Sequence, residues 1–134
     1  MKNLFLIFIL SLILPTLSVA QIKLEVEIEN LKNNTGQVLI ALIDAEENQI
    51  SGKIGQIQNK KSVIVFEDLE PANYAIKYFH DENTNQELDT NFMGIPKEGY
   101  GISNNAYGRF GPKGFEEQLF SLDSDSKIIL MTNY

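Results

Sequence analysis

The stretch QIKLEVEIEN, residues 21–30, decides the fold class of this chain. Every second residue from Ile22 to Ile28 is apolar, and every residue between them is charged. Because the side chains of a strand point alternately to its two faces, this alternation predicts a β-strand with one buried and one wet face. The acidic row on the wet face is typical of a solvated surface that discourages edge pairing, and cation binding by that row is the alternative.

The residues that precede this strand predict a secretory signal peptide, residues 1–20. Lys2 supplies a positive charge, residues 4–14 are almost wholly apolar, and residues 18–20 have the small side chains of a cleavage site. The apolar run is short for a membrane span, which takes about 20 residues, so we favour a cleaved leader over a membrane anchor. We therefore expect cleavage after Ala20, an exported protein that is periplasmic or extracellular, and no membrane insertion after cleavage.

The composition of the chain excludes several classes of function. The chain has eleven basic and eighteen acidic residues, so its net charge is −7. The sequence has no basic stripe that would bind nucleic acid. The absence of cysteine excludes thiol catalysis, thiolate zinc sites and disulfides. A single histidine also makes zinc catalysis unfavourable. We expect one domain after the leader, residues 21–134, and leave its partner open, with a protein or a carbohydrate ligand as the candidates.

Five further segments have the pattern of strands. Residues 37–43 are apolar on both faces after the first residue, which predicts a central strand covered on both sides. Residues 62–66 and 74–79 are rich in β-branched and aromatic side chains and predict two more strands. Residues 118–122 and 127–131 flank a polar turn and predict a C-terminal hairpin.

Residues 44–61 are less regular, because they are mostly polar and contain two glycines. We expect a loop there with one short edge strand near residues 54–58, or a single helical turn around residues 44–48. Strands at regular spacing with little helix predict an all-β fold. The predicted architecture is an antiparallel β-sandwich of about seven strands, immunoglobulin-like or transthyretin-like, with one long ordered loop.

Residues 81–117 form the longest segment without a strand or helix pattern, 37 residues in all. A connection of that length is functional or disordered, or its elements are wrongly assigned. The segment holds six of the nine glycines together with several aromatic and aliphatic residues, which disordered linkers lack. We therefore expect an ordered excursion that tucks its aromatic side chains onto the sandwich.

The beginning of this excursion, residues 81–89, reads DENTNQELD and matches part of a calcium loop. In the pattern D-x-[DN]-x-[DN], side chains at alternate positions turn inward around a hard cation. Ca²⁺ takes about six to eight oxygen ligands, including a main-chain carbonyl at the seventh position. The candidate ligands are Asp81, Asn83, Asn85, Glu87, Asp89 and Glu98.

Two positions depart from the calcium pattern. Gln86 stands where a sharp turn normally has glycine, and Phe92 stands where a closing glutamate is expected. Glu98 is the nearest acid that replaces that glutamate. A calcium site of the weak extracellular class, with a dissociation constant of roughly 10⁻⁴–10⁻³ M, is one interpretation. The other is a polar loop of Asx turns bonded to its own main chain.

The same region carries the candidates for a binding surface, which are His80, Tyr100, Ser103, Asn104, Asn105 and Arg109. His80 beside the acids suits a general base, but a lone histidine at a strand end is more often packed and bonded to a carbonyl. A triad of Ser103, His80 and Asp89 is disfavoured, since no G-x-S-x-G elbow surrounds the serine. We expect Arg109, the only arginine, to pair with the acidic loop rather than to clamp a ligand carboxylate.

Several motifs together resemble one known family. They are residues 69–75 (LEPANYA), 80–83 (HDEN), 88–91 (LDTN), 94–101 (GIPKEGYG), 103–105 (SNN) and 110–112 (FGP), with Phe115. They resemble a family of small secreted bacterial proteins described as a domain of unknown function, and the resemblance covers essentially all of the chain after the leader. It implies secretion and a β-sandwich and brings no reaction. Members commonly carry glycine where this chain has Asn73 and Gln86.

The motif Leu-x-Pro-x-x-Tyr, residues 69–74, has a second resemblance. It is similar to the strand entry of transthyretin-like and carboxypeptidase-regulatory-like domains. Those domains are generally accessory or binding modules, so this resemblance implies binding rather than catalysis.

Two functions are compatible with these residues. The first, which we favour, is a non-enzymatic exported accessory or binding module that uses the excursion as its binding surface or metal site. The alternative is a carboxylate-dependent hydrolase or carbohydrate-active enzyme that uses acids of the same loop, namely Asp81, Glu82, Asp89 or Glu98. An enzyme needs two carboxylates that converge in a pocket. A module is expected to hold the same carboxylates around one ion or bonded to the main chain.

Overall fold

The structure, a computed structural model, describes Ser18 and residues 21–134 of the chain. The rest of the predicted signal peptide lies outside the described residues. Among the residues described, no helix is long and apolar enough to cross a membrane. The strands of this part of the chain are β1 Ile22–Glu29, β2 Gln37–Asp44, β3 Gln49–Gly55, β4 Ser62–Leu69, β5 Ala72–Asp81, β6 Tyr100–Ile102, β7 Tyr107–Gly108, β8 Gly111–Pro112, β9 Phe120–Leu122 and β10 Ser126–Met131.

Two sheets pack face to face and enclose one apolar core. Sheet A has the strand order β10-β1-β4, and sheet B has the order β3-β2-β5-β6, with β9 paired to the beginning of β5. The strands β7 and β8 form a separate small ribbon. A 3₁₀ turn, Ser103–Asn105, follows β6, and one short helix, α1 Phe115–Gln118, precedes β9. The prediction of an all-β sandwich is confirmed.

The strand β1 lies at the centre of sheet A, as its alternation requires. Its apolar residues are buried in the core against inward side chains of sheet B. On its outer face, Glu27 lies between Lys127 and Lys61, and hydrogen bonds from these two lysines lower the pKa of Glu27. The acidic row is therefore a solvated face neutralised by neighbouring lysines, which supports the favoured interpretation.

The predicted C-terminal hairpin is wrong. The strand β9 pairs with β5 of sheet B, whereas β10 pairs in parallel with β1 of sheet A. The polar turn between them crosses from one sheet to the other, and Asp125 Oδ1 accepts a hydrogen bond from the main-chain N–H of Lys23 at 2.8 Å. The two strands do not pair with each other because β9 buries its apolar residues as part of sheet B and β10 buries its own as part of sheet A. The parallel pair also departs from a wholly antiparallel sandwich.

Residues 44–61 contain more strand than predicted, because β3 begins at Gln49 rather than near residue 54. A tight turn replaces the alternative helical turn. Its first residue, Asp44, accepts hydrogen bonds from the main-chain N–H groups of Asn48 at 2.8 Å and Glu46 at 3.0 Å. The bond from the Asn48 N–H is the main cause of a lowered pKa of Asp44. The hairpin that results places β3 at the edge of sheet B.

The strand β2 is central in sheet B, as predicted, but its outward face is only partly covered. Its inward residues Val38, Ile40 and Leu42 are buried in the core. On the outward face, Ile43 is buried, whereas Leu39 and Ala41 are half-buried. This partly covered apolar face becomes part of the site described below.

The turn before β2 brings two segments of main chain unusually close together. Gly36 has a φ of 78°. A Cβ atom at this position would lie 2.1 Å from the carbonyl oxygen of Asp81. The end of β5 is thus packed directly against the backbone of this turn.

We predict that Gly36→Ala lowers the free energy of unfolding by about 2 kcal/mol or more, because the new methyl group meets the Asp81 main chain and sits at a strained φ. Urea unfolding followed by circular dichroism measures the change. Gly114→Ala is the matched control, since a Cβ there meets nothing within 4 Å. Its expected effect is within about 0.5 kcal/mol. Equal stabilities of the two variants would contradict the close approach at Gly36.

Candidate functional site

The carboxylate of Asp81, the last residue of β5, organises the start of the excursion. It is fully buried. Its Oδ1 accepts a hydrogen bond from the main-chain N–H of Asn85 at 3.1 Å. Its Oδ2 accepts from the main-chain N–H of Gln86 at 3.0 Å and from Nε2 of Gln37 at 2.9 Å. The chain that leaves β5 is therefore bent back at once onto the strand end. We call residues 81–98 the acid–amide loop.

A second buried carboxylate, that of Glu98, closes this loop. The side chain is 5% exposed. Its Oε1 accepts a hydrogen bond from the main-chain N–H of Glu82 at 2.9 Å, and its Oε2 accepts from the main-chain N–H of Asp89 at 3.1 Å. The main-chain N–H of Lys97 also donates to the Asp89 carbonyl oxygen at 2.8 Å. Glu98 thus joins the beginning, the middle and the end of the loop.

The middle of the loop is held by amide side chains. The Asn83 and Asn85 Nδ2 groups donate to the two carboxylate oxygens of Asp89, at 2.6 and 3.1 Å. Their Oδ1 atoms accept from the main-chain N–H groups two residues onward, those of Asn85 and Glu87, at 3.1 and 2.9 Å. The loop is therefore a chain of Asx turns, which was one of the two interpretations of its sequence.

The sharp turn that a calcium loop normally builds with glycine is present without glycine. Gln86 has a φ of 64°, and Thr84 has a φ of 59°. This left-handed region is unfavourable for a residue with a Cβ atom, most of all for a β-branched one. The hydrogen bonds to Asp81 hold the backbone in this conformation.

The structure brings most of the predicted metal ligands into one network. Asp81, Asn83, Asn85 and Asp89 are linked through the hydrogen bonds above, and Glu98 is bonded to the main chain of Asp89. The side chain of Glu87 is exposed, so this residue contributes through its main chain. No group of three or more His, Cys, Asp or Glu side chains within the described part of the chain is placed to hold a metal ion. An ion here would depend on amide and main-chain oxygens as well.

The expectation that His80 lies on a binding surface is wrong. Its side chain is fully buried. Its Nε2 is 2.7 Å from the carbonyl oxygen of Thr35, and its Nδ1 is 2.9 Å from the hydroxyl of Tyr134. Because a carbonyl can only accept, Nε2 carries the proton. Both ring nitrogens are engaged, so His80 is a packed histidine that closes one end of the core.

The serine and the two asparagines after β6 serve the architecture rather than an open surface. Ser103 is buried, and its Oγ donates to the carbonyl of Gln118 and accepts from the N–H of Ile76. This corrects the prediction for Ser103, which has no route to a ligand. Asn104 and Asn105 are exposed, but their side chains bond the main chains of neighbouring segments. They act as turn residues because Asn tolerates their positive φ values.

Arg109 does not pair with the acidic loop. No ion pair within the residues described includes this side chain, which lies over the ring of Phe110 at 5.6 Å. Phe110 and Phe92 are themselves 96% and 97% exposed. The prediction that the aromatic residues tuck onto the sandwich is therefore wrong for these two, which lie at the tips of turns. The prediction holds for Tyr107, because this side chain is partly buried and its burial raises the pKa of Tyr107 to about 12.

The outer face of sheet B forms an open apolar groove of about 950 Å³, which we call the outer groove. The strand register defines two rows across four strands. The first row is a ridge of large side chains, formed by Ile54, Leu39, Phe79 and Tyr100. The second row contains a trough at two small residues, Gly52 and Ala41, and continues through Lys77 to Ile102.

The excursion supplies the walls of the outer groove. Leu88 and Pro96 of the acid–amide loop line it, as does Pro112 of β8. The ammonium of Lys77 lies over the ring of Phe115 at 5.8 Å. Lys53 also borders the groove, but its Nζ turns away and donates to the carbonyl oxygen of Val65 at 2.6 Å. Lys77 is therefore the cation that faces this surface.

Sequence reasoning missed the outer groove, apart from Tyr100. The available signal was the strand at residues 37–43, which is apolar on both faces. We interpreted that pattern as a strand covered on both sides. An apolar outward face that no other layer covers gives the same pattern, and only the three-dimensional arrangement separates the two cases.

The fold and site define a class of protein, a small β-sandwich with one extended, hydrogen-bonded loop that borders an apolar groove. The profile of the family DUF2141, described as an uncharacterized protein conserved in bacteria, matches residues 26–129. The chain belongs to this family, which confirms the resemblance drawn from its motifs. A comparison with curated proteins finds no match.

We predict that Asp81→Ala lowers the free energy of unfolding by about 2–4 kcal/mol, because three hydrogen-bond donors lose their buried acceptor. Urea unfolding measures the loss, and amide hydrogen exchange should show faster exchange at Asn85 and Gln86. The control is Asp123→Ala, in the exposed turn after β9, with an expected change within about 0.5 kcal/mol. A similar small change for Asp81→Ala would show that its carboxylate does not organise the loop.

Proposed function

We propose that this protein is an exported, non-catalytic binding module whose ligand surface is the outer groove. The observation that carries this proposal is the groove itself. One sheet of the sandwich presents an apolar face, and the ordered loop gives that face its walls. Binding pockets for small ligands are concave and mostly apolar, with a few polar groups that fix orientation. Export is proposed from the leader pattern of residues 1–20.

The loop carboxylates favour a module over a hydrolase. Asp81 and Glu98 are buried, and both oxygens of each accept hydrogen bonds from N–H groups. Asp89 accepts two amide donors. A general acid or nucleophile needs an oxygen that can reach the substrate. These acids instead hold the loop in place, which is the arrangement expected of a structural role.

The proposed binding surface is tested with the neutral dye N-phenyl-1-naphthylamine, whose fluorescence rises in an apolar site. We expect the dye to bind, and Ala41→Trp to weaken binding at least about ten-fold, because the indole fills the trough. Ile54→Glu, at the exposed edge of the ridge, should weaken it as well. Val63→Trp is the matched control, since this residue is exposed on β4 of sheet A and should leave dye binding unchanged.

Circular dichroism and melting temperature establish that each variant is folded. Absence of dye binding to the wild type, or equal binding by Ala41→Trp and Val63→Trp, would overturn the proposal. The edge variant keeps the test informative if the tryptophan at position 41 prevents folding.

We also propose that the acid–amide loop binds Ca²⁺ weakly. The support is the convergence of Asp81, Asn83, Asn85 and Asp89 in one network. Carboxylate and amide oxygens have more than one acceptor site each, so the existing hydrogen bonds leave lone pairs for an ion.

At 10 mM Ca²⁺ we expect the melting temperature to exceed that in chelator by about 5 °C, the shift for a site with a dissociation constant near 10⁻³ M in a domain of this size. Mg²⁺ at the same concentration controls for ionic strength. Asp89→Ala should abolish the shift, and it should fold because this carboxylate accepts only side-chain amides. An equal melting temperature in Ca²⁺ and in Mg²⁺ would remove calcium from the proposal, and a full shift in Asp89→Ala would place the ion elsewhere.

A further inference from the structure

We infer that the outer groove binds an N-acyl amino acid or a ligand with the same chemistry, a hydrocarbon chain whose head carries a carboxylate beside an amide N–H. This inference rests on the proposed function and names the ligand class for that site. Three features carry it: the apolar trough, one lysine without a carboxylate partner, and one buried oxygen without a hydrogen bond. Each feature corresponds to one part of the ligand.

The trough fits a hydrocarbon chain. Gly52 and Ala41 leave space beside the ridge, in a row that runs across the strands towards Lys77. Side chains on one face of a strand repeat every two residues, about 6.8 Å, and that width accommodates one extended polymethylene chain. Leu88 and Pro96 of the acid–amide loop also border the groove and add apolar contacts for the chain. Burial of each methylene group strengthens binding by up to about four-fold.

The charge of the groove selects an anion. Acidic residues outnumber basic ones by eighteen to eleven in the chain, yet the lining of the groove includes no Asp or Glu among the residues that the structure describes. Lys77 lies in the middle of this face, and within the described residues no ion pair includes it. A carboxylate head placed beside Phe115 would meet the Lys77 ammonium at the border of the apolar surface.

A buried acceptor selects a hydrogen-bond donor. Gln118 lines the groove, is 4% exposed, and donates through Nε2 to the carbonyl oxygen of Lys113 at 3.0 Å. Its Oε1 is buried and has no hydrogen-bond partner among the described residues. A buried acceptor left unpaired is unfavourable, and a donor on the ligand would remove that cost. Gln118 belongs to the same short helix as Phe115, the residue whose ring Lys77 contacts.

The ligand is therefore polarised along the trough, with the head beside Lys77 and α1 and the chain directed over Ala41 and Gly52 towards β3. A carbohydrate ligand fits less well, because it would need many polar partners. The polar side chains that line the groove, apart from Tyr100 and Tyr78, are three glutamines and two lysines. A neutral lipid would leave Lys77 without an anionic partner.

Isothermal titration calorimetry with four soluble probes tests the inference. N-lauroylglycine has the chain, the N–H and the carboxylate, whereas N-lauroylsarcosine lacks the N–H and N-lauroylglycine methyl ester lacks the charge. N-butyrylglycine lacks the long chain. We expect N-lauroylglycine to bind most tightly. The sarcosine compound should bind up to about ten-fold more weakly, the range for one hydrogen bond, and the ester about five-fold more weakly, the range for one partly exposed ion pair. The butyryl compound should not bind measurably.

Two variants assign these differences to residues. Lys77→Met should remove the preference for the acid over the ester, and Gln118→Met should remove the preference for glycine over sarcosine. Lys23→Met, on β1 of sheet A, is the matched control and should change neither. Circular dichroism confirms folding of each variant, and discrimination between probes by a folded variant remains measurable even where overall affinity falls.

Several results would overturn the inference while the proposed function stands. They are dye binding without binding of N-lauroylglycine, equal affinities for the acid and the ester, and equal affinities for the glycine and sarcosine compounds. Cosedimentation with phosphatidylglycerol vesicles, without binding of the monomeric probe, would assign the groove to a membrane surface instead. Failure of both the dye and N-lauroylglycine would remove the proposed function as well.

Discussion

The buried carboxylate of Asp81 is the interaction on which the rest of the excursion depends. An ionised group taken out of water must find hydrogen-bond donors, because an unpaired buried charge is very costly. Here the donors are the main-chain N–H groups of Asn85 and Gln86, with the Gln37 amide on the neighbouring strand. The chain therefore has to turn back at the end of β5. The same turn brings Leu88 beside the outer face of sheet B. The hydrogen bonds that the buried Asp81 carboxylate needs therefore also position a wall of the apolar groove.

This arrangement also explains how the loop keeps its shape without the glycine that is usual in such turns. The left-handed conformations of Thr84 and Gln86 each cost on the order of 1–3 kcal/mol, and they persist only where surrounding contacts determine the backbone. Asp81 holds one side of the turn, and Glu98 ties the loop at Glu82 and Asp89. A segment fixed from both ends is suited to serve as a rigid wall, and a rigid wall lowers the entropy lost when a ligand binds.

Local periodicity predicted which segments form strands better than it predicted which strands pair with one another. The alternation from Ile22 to Ile28 identified β1, because the period of a strand is a property of neighbouring residues. The pairing of β10 with β1 joins residues about a hundred positions apart, and nothing local encodes it. The same distinction between local and long-range features applies to the site. The Asx turns at Asn83 and Asn85 were readable from spacing, whereas the burial of His80 and the exposure of Phe92 depend on which segments pack above them.

The two outer faces of the sandwich provide an internal comparison for the role of sheet B. The outer face of β1 carries Glu25, Glu27 and Glu29, with lysines beside them, as expected of a surface that meets only water. The central strand of sheet B carries Leu39 and Ala41 at the corresponding outward positions. The outer faces of the two central strands therefore have opposite chemistry, charged on β1 and apolar on β2. An exposed apolar face favours association with apolar partners, and large patches of this kind mark binding sites in soluble proteins. The contrast between the sheets therefore supports the proposal that the outer face of sheet B is a binding surface, on which Lys77 and the Gln118 oxygen would orient the proposed ligand.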